Sequence, residues 1–156
     1  MAWIVGLVIV VAAGWGGIVL WARSAATVAR GVQEGSLAEC PASPNCVCSQ
    51  SKSSLHQIEG LQFEGDAESA WARVRQLLNE LPEARLVSES DKYLHYEFRS
   101  KIIGYVDDVE LLKPTEGNRQ IDIRSASRVG YSDMGVNRKR MERIRELFQA
   151  SPPAQR

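Results

Sequence analysis

The side chains able to do chemistry in this chain gather in two places. One is a short Pro-containing loop with three thiols, Cys40, Cys46 and Cys48. The other is a set of guanidinium, carboxylate, amide and hydroxyl groups between the middle and the end of the chain: Arg99, Asp107, Ser125, Ser127, Arg128, Tyr131, Asp133, Asn137 and Arg138. Guanidinium groups near a helix start suit an anion such as a phosphate, a carboxylate or a lipid headgroup, and Gly130 and Gly135 permit close backbone approach. Read as an enzyme, the same set would make Asp107 or Asp133 the acid or base of a hydrolase with Ser127 or Tyr131 nearby, although nothing in the sequence supplies an activated nucleophile.

Close thiols in a short loop are commoner where they can oxidise, so Cys40 and Cys46 are candidates for a disulfide, with free thiols as the alternative. Adding His56 to the three cysteines gives enough ligands for zinc, but the Cys46-Val47-Cys48 step does not match zinc-finger spacing, and no metal is expected. His95 falls on the polar face of a strand and His56 in a loop or edge segment, neither placed as a catalyst. The chain has no Gly-rich phosphate loop, serine elbow or paired-histidine motif, and no cofactor is expected. Lys plus Arg and Asp plus Glu stand at 19 each, so no net charge field favours nucleic acid as a partner.

These residues need elements to bring them together. Between Asp66 and Leu81, the residues Ala70, Trp71, Val74, Leu77, Leu78 and Leu81 recur at helical spacing, with Asp66 placed to cap the start and Pro82 to end it. From Tyr93 to Arg99 the pattern alternates, with Leu94, Tyr96 and Phe98 on one face and Tyr93, His95, Glu97 and Arg99 on the other. Tyr105 to Leu112 and Gln120 to Ser127 continue it around a turn at Lys113 to Asn118. Alternation sets Asp107 on the face of Val109 and Leu111, where a carboxylate needs a partner. Met141, Ile144, Leu147 and Phe148 mark the apolar face of a last helix whose other face is basic. Antiparallel order then carries the first strand's end, the second's start and the third's end to one sheet edge, beside the start of that helix. The expected fold is α+β: a two-layer domain with an antiparallel sheet of three or four strands and two packed helices. The fourth strand would lie around Leu55 to Phe63, and the helices would cover one face and leave the other wetter.

From Trp3 to Trp21 no residue is charged, and the run is long enough for one transmembrane helix with tryptophans at both headgroup layers. No basic residue precedes it and it exceeds a signal-peptide core, so an uncleaved single-pass anchor is expected over 1–22. A juxtamembrane linker follows over 23–39, the α+β domain over 40–150 and a frayed tail over 151–156. Arg23 and Arg30 argue for a cytoplasmic domain, while the cysteines argue for the oxidising side.

Three stretches resemble a known family: Cys40-Pro41-Ala42-Ser43-Pro44-Asn45-Cys46-Val47, Gly104-Tyr105-Val106-Asp107-Asp108-Val109-Glu110, and the run Ser125-Ala126-Ser127-Arg128-Val129-Gly130-Tyr131-Ser132-Asp133-Met134-Gly135-Val136-Asn137-Arg138. The chain resembles, over about Cys40 to Phe148, the family catalogued as domain of unknown function 1499. The resemblance implies that Asp107, Ser125, Arg128, Tyr131, Asp133, Asn137 and Arg138 belong to family motifs, while no activity is established for the family as a whole. Its members often sit behind export or membrane signals, which implies an extracytoplasmic domain. Cys48 departs from the pattern, where serine is more usual. The expected function is a membrane-anchored binding or scaffolding module of the cell envelope, holding an anionic small molecule, a lipid headgroup or a partner peptide. The alternatives are a hydrolase using Asp107 or Asp133, and a structural envelope-assembly protein that exposes an apolar patch to its partners.

Overall fold

The alternation from Tyr93 to Arg99 folds as a strand in the computed structural model of the protein, which describes residues 31–100 and 104–151. In chain order the elements are β1 (Val32–Gln33), β2 (Ser36–Leu37), β3 (Cys46–Cys48), β4 (Leu61–Gln62), α1 (Ala67–Glu80), β5 (Ala84–Ser90), β6 (Tyr93–Arg99), β7 (Val106–Leu112), β8 (Gln120–Ser127) and α2 (Val136–Ala150). Asp66 caps α1 by accepting the Ser69 N–H at 2.8 Å, an interaction worth about 1 kcal/mol. Ala70, Trp71, Val74 and Leu78 form the buried stripe of that helix.

The sheet corrects the expected one. It has six strands rather than three or four, in the order β3-β8-β7-β6-β5, with β4 also pairing with β8. The extra strands escape the period-two pattern for identifiable reasons. β3 is the cysteine run itself, β4 has only two residues, and β5 carries a register shift between Leu86 and Ser88 that breaks its alternation. β3 and β4 share the outer edge of β8, pairing with Arg124 to Ala126 and with Gln120 to Ile121 respectively.

Both helices pack on one face, against Leu94, Tyr96 and Phe98 of β6, Val109 and Leu111 of β7 and Ile121 and Ile123 of β8. Burying each such side chain contributes roughly 1.5–3 kcal/mol. The opposite face is not the wetter one expected: His95, Glu97, Asp108, Glu110 and Arg124 on it are all buried. Opposite charges meet across its strands, and the β1–β2 hairpin leans on it. That hairpin turns through Glu34 and Gly35, both at positive φ, as a two-residue type I′ turn requires. The Gly31 N–H reaches Glu110 at 3.0 Å, and Leu37 packs with Cys48 and Leu112.

The expected membrane anchor over 1–22 lies outside the described residues. No helix among the described residues is long and apolar enough to cross a membrane.

Candidate functional site

Antiparallel pairing of β7 with β8 sets Asp107 opposite Ser127 and Val109 opposite Ser125. The start of α2 comes down beside them, and Asn137 becomes the hub. Its Nδ2 donates to the Asn45 carbonyl at 3.0 Å and to Ser127 Oγ at 2.9 Å. Its Oδ1 accepts from Ser125 Oγ at 2.5 Å and from Arg140 at 2.6 Å. The other arm of Arg140 pairs with Asp107 at 2.6 Å, and its guanidinium lies 5.0 Å from the centre of the Phe98 ring. Asp107 therefore has the cationic partner its position demands. Asn45, next to the disulfide, returns a bond from Nδ2 to the Gly130 carbonyl at 2.7 Å and receives the Ser127 N–H on its own carbonyl at 3.0 Å.

The loop between β8 and α2 is fixed by the same network. Both Asp133 oxygens accept backbone N–H groups, from Gly135 at 3.0 Å and from Asn137 at 2.7 Å, which satisfies donors that a helix start would leave open. Between these bonds Met134 adopts φ 54°, a left-handed conformation that L-residues with long side chains seldom take. Met134 is 89 % exposed and Tyr131 76 %, and Val136 at the first turn of α2 is also exposed. Tyr105 is exposed at the same end of the sheet, since the Arg128 N–H bonds the neighbouring Val106 carbonyl at 3.2 Å.

The structure thus brings Asp107, Ser125, Ser127, Asp133 and Asn137 together. It turns Tyr131 to solvent and sends the arginines elsewhere. Arg138 donates to the carbonyls of Gln57 at 2.9 Å and Leu55 at 3.1 Å, tying down the loop before β4. Arg99 pairs with Glu97 at 3.0 Å, and Arg128 bonds both Asp108 and Glu97, all on the sheet face away from the helices.

That face carries an ionic layer that the sequence reading passes over. Register aligns His95, Glu110, Arg124 and Cys48 in one row across β6, β7, β8 and β3, and Glu97, Asp108, Ala126 and Cys46 in the next. His95 Nε2 lies 2.7 Å from Asp108 Oδ1, while Arg128 reaches the two Asp108 oxygens at 2.6 and 2.9 Å and Glu97 at 2.8 Å. Arg85 bonds the second Glu97 oxygen at 2.7 Å. Glu110 pairs with Arg124 and accepts the Tyr93 hydroxyl at 2.6 Å. Burial pushes the Glu97 carboxyl up, but the hydrogen bonds from Arg85 and Arg128 outweigh it and hold the group below its usual range. Asp108 is likewise lowered, burial being overcome by His95 and Arg128. Arg128 is raised, since Asp108 and Glu97 outweigh its own burial. Tyr93 is pushed far up by burial and by its bond to Glu110. Carboxylates pinned in this way stay charged and make poor general acids or bases. A sequence signal for the layer existed: acids at alternate positions of β7 face His95 on one neighbour and Arg124 on the other.

Cys40 and Cys46 are joined in a disulfide, and Cys48 is a free, buried thiol. Among the described residues, no group of three or more His, Cys, Asp or Glu is placed to hold a metal ion. A wide groove of about 1160 Å³ lies at the opposite end of the sheet, between α1 and the β5–β6 and β7–β8 turns, with Trp71 and Phe63 in its wall.

The model of a family of proteins of unknown function, DUF1499, matches residues 36–148, from β2 nearly to the end of α2. No curated protein matches the chain.

Proposed function

The chain belongs to the DUF1499 family of proteins of unknown function, and from that premise we propose that it is a docking module of the cell envelope that engages a protein partner through the loop between β8 and α2. The observation that carries this reading is Met134, held in a left-handed conformation with its side chain almost wholly in solvent. An L-residue in that conformation costs roughly 1–2 kcal/mol, and an exposed thioether returns nothing to the isolated domain. Strain of this kind persists where the surroundings over-determine it, as the two Asp133 bonds do here, and it clusters at functional sites. Tyr131, three residues earlier in the same loop and likewise exposed, supplies the aromatic component usual in interface cores. On this reading the polar motif residues Ser125, Ser127, Asp133 and Asn137 form the frame, and Tyr131 with Met134 forms the contact.

An anionic ligand draws less support, because Arg99, Arg128, Arg138 and Arg140 all have partners within the domain. So does a hydrolase: Asp107 is ion-paired, and both Asp133 oxygens are taken by backbone N–H groups. The uncharged run from Trp3 to Trp21 supports placement at a membrane, and the Cys40–Cys46 disulfide supports the oxidising side of it.

The test is site-specific photo-crosslinking of the full chain in native membranes, with the photoreactive residue at 131, at 134, or at the exposed control position Arg143. A discrete protein adduct from 131 and 134 that is absent from 143 is expected. Met134→Ser should weaken that contact by about 2 kcal/mol or more, a hot-spot magnitude. Adducts to lipid alone, or the same adducts from all three positions, would remove the proposal.

A further inference from the structure

A free thiol and one end of a disulfide meet at one small cleft: Cys48 and Cys40 both line it, and Cys40 is bonded to Cys46. Cys46 and Cys48 stand two apart on β3, so both side chains leave the same face of the strand, with their Cα atoms about 6–7 Å apart at the usual rise per residue. Cys40 comes from the preceding loop, its Cα 5.7 Å from that of Cys46. Cys40 and Cys48 line the same cleft of about 290 Å³, together with Leu37 and His56, and Cys40 packs on the cluster of Leu37, Cys48 and Leu112. Cys48 is fixed in place, its N–H bonding the His56 carbonyl at 2.8 Å and its carbonyl accepting the Ser51 N–H at 3.2 Å.

We propose that Cys48 is the internal nucleophile of a thiol–disulfide exchange with the Cys40–Cys46 bond. The Cys48 thiolate attacks Sγ of Cys40; the Cys40–Cys48 bond forms as the Cys40–Cys46 bond breaks, and the electron pair leaves on Sγ of Cys46. The proton given up by Cys48 goes to solvent, and another from solvent settles on Cys46, so no oxidant or reductant is consumed. Attack falls on Cys40 because a Cys46–Cys48 bond would join parallel side chains on one strand, near the upper limit of Cα spacing for a disulfide. Burial pushes the Cys48 thiol up, against the opposing hydrogen bond from the Gln50 backbone and the charge of Arg124. The exchange is therefore slow at neutral pH and accelerates in alkali.

The full chain is held at neutral and at alkaline pH, quenched in acid, alkylated with N-ethylmaleimide in denaturant and mapped by peptide mass spectrometry. Label is expected on Cys46 as well as Cys48, its appearance speeding up about tenfold per pH unit while thiolate is limiting. Label on Cys48 alone at both pH values, with mixing only after denaturation, overturns the proposal. A second arm uses Cys46→Ser with oxidised glutathione: a Cys40–Cys48 bond is expected. Two unlinked or glutathionylated thiols in a chain of native circular dichroism count against it.

Discussion

The carboxamide of Asn137 has two N–H donors and one oxygen, and the structure employs all of them. They link β8, the loop before β3 and Arg140 around a carboxamide that is itself fully buried. Asn137→Ala would leave the Asn45 carbonyl and the Ser125 and Ser127 hydroxyls without their buried partner, and each such loss costs about 1–3 kcal/mol. The chain should lose about 2–4 kcal/mol in urea unfolding, whereas Arg143→Ala on the exposed side of the same helix should change little. The sequence shows which donors and acceptors the motif from Ser125 to Arg138 contains, but it does not show that they satisfy one another. Alternation alone asks for a partner to Asp107. That the partner is Arg140, from a helix face that reads as a solvated basic stripe, depends on how α2 descends on the sheet.

At the level of elements, long periodic segments are legible and short or interrupted ones are not. β6 and β8 coincide with their alternating stretches, and α1 with its capped apolar stripe. β3, β4 and β5 are decided by pairing with β8 and β6, which no local pattern records. The β8–α2 loop shows the same limit: Gly130 and Gly135 announce a turn, but only the backbone places Met134 at positive φ. Met134→Gly should relieve the roughly 1–2 kcal/mol of left-handed strain, less about 0.4–1 kcal/mol for the freer unfolded chain. Calorimetry should show the melting temperature unchanged or slightly raised, while the partner contact falls as it does for Met134→Ser. A variant at once more stable and less able to dock is the expected signature of a loop kept for contact.

For the whole molecule, the unexpected property is a sheet whose central strands β6, β7 and β8 are buried on both faces, apolar toward the helices and ionic on the other side. Asp108 and Glu97 have folded-state values below their ordinary 3.8 and 4.5, so the folded protein binds fewer protons than the unfolded one in that range. Their stabilisation is fully present above about pH 5 and is lost as pH falls through 4 and below. Urea midpoints between pH 7 and pH 3 should fall along that limb. Asp108→Asn should lower stability by about 3–5 kcal/mol at pH 7, because Arg128 and His95 are left facing an uncharged group, and should flatten the acid dependence. The acids alternating along β7 are legible in the sequence, but alternating polar residues ordinarily signal a wet face, and only cross-strand register shows that these meet His95 and Arg124.

The shared outer edge of β8 has a temporal corollary. Asn45 meets Gly130 across 85 positions, and among the described strands β3 and β4 pair with β8 alone, beyond a single bridge from Cys48 to Gln57. As the polypeptide emerges in order from the ribosome, the segments made first must wait for the strand made last. Until then the early loop holding the thiols is unconstrained by any ladder, and sulfur pairing within it is governed by local encounter alone.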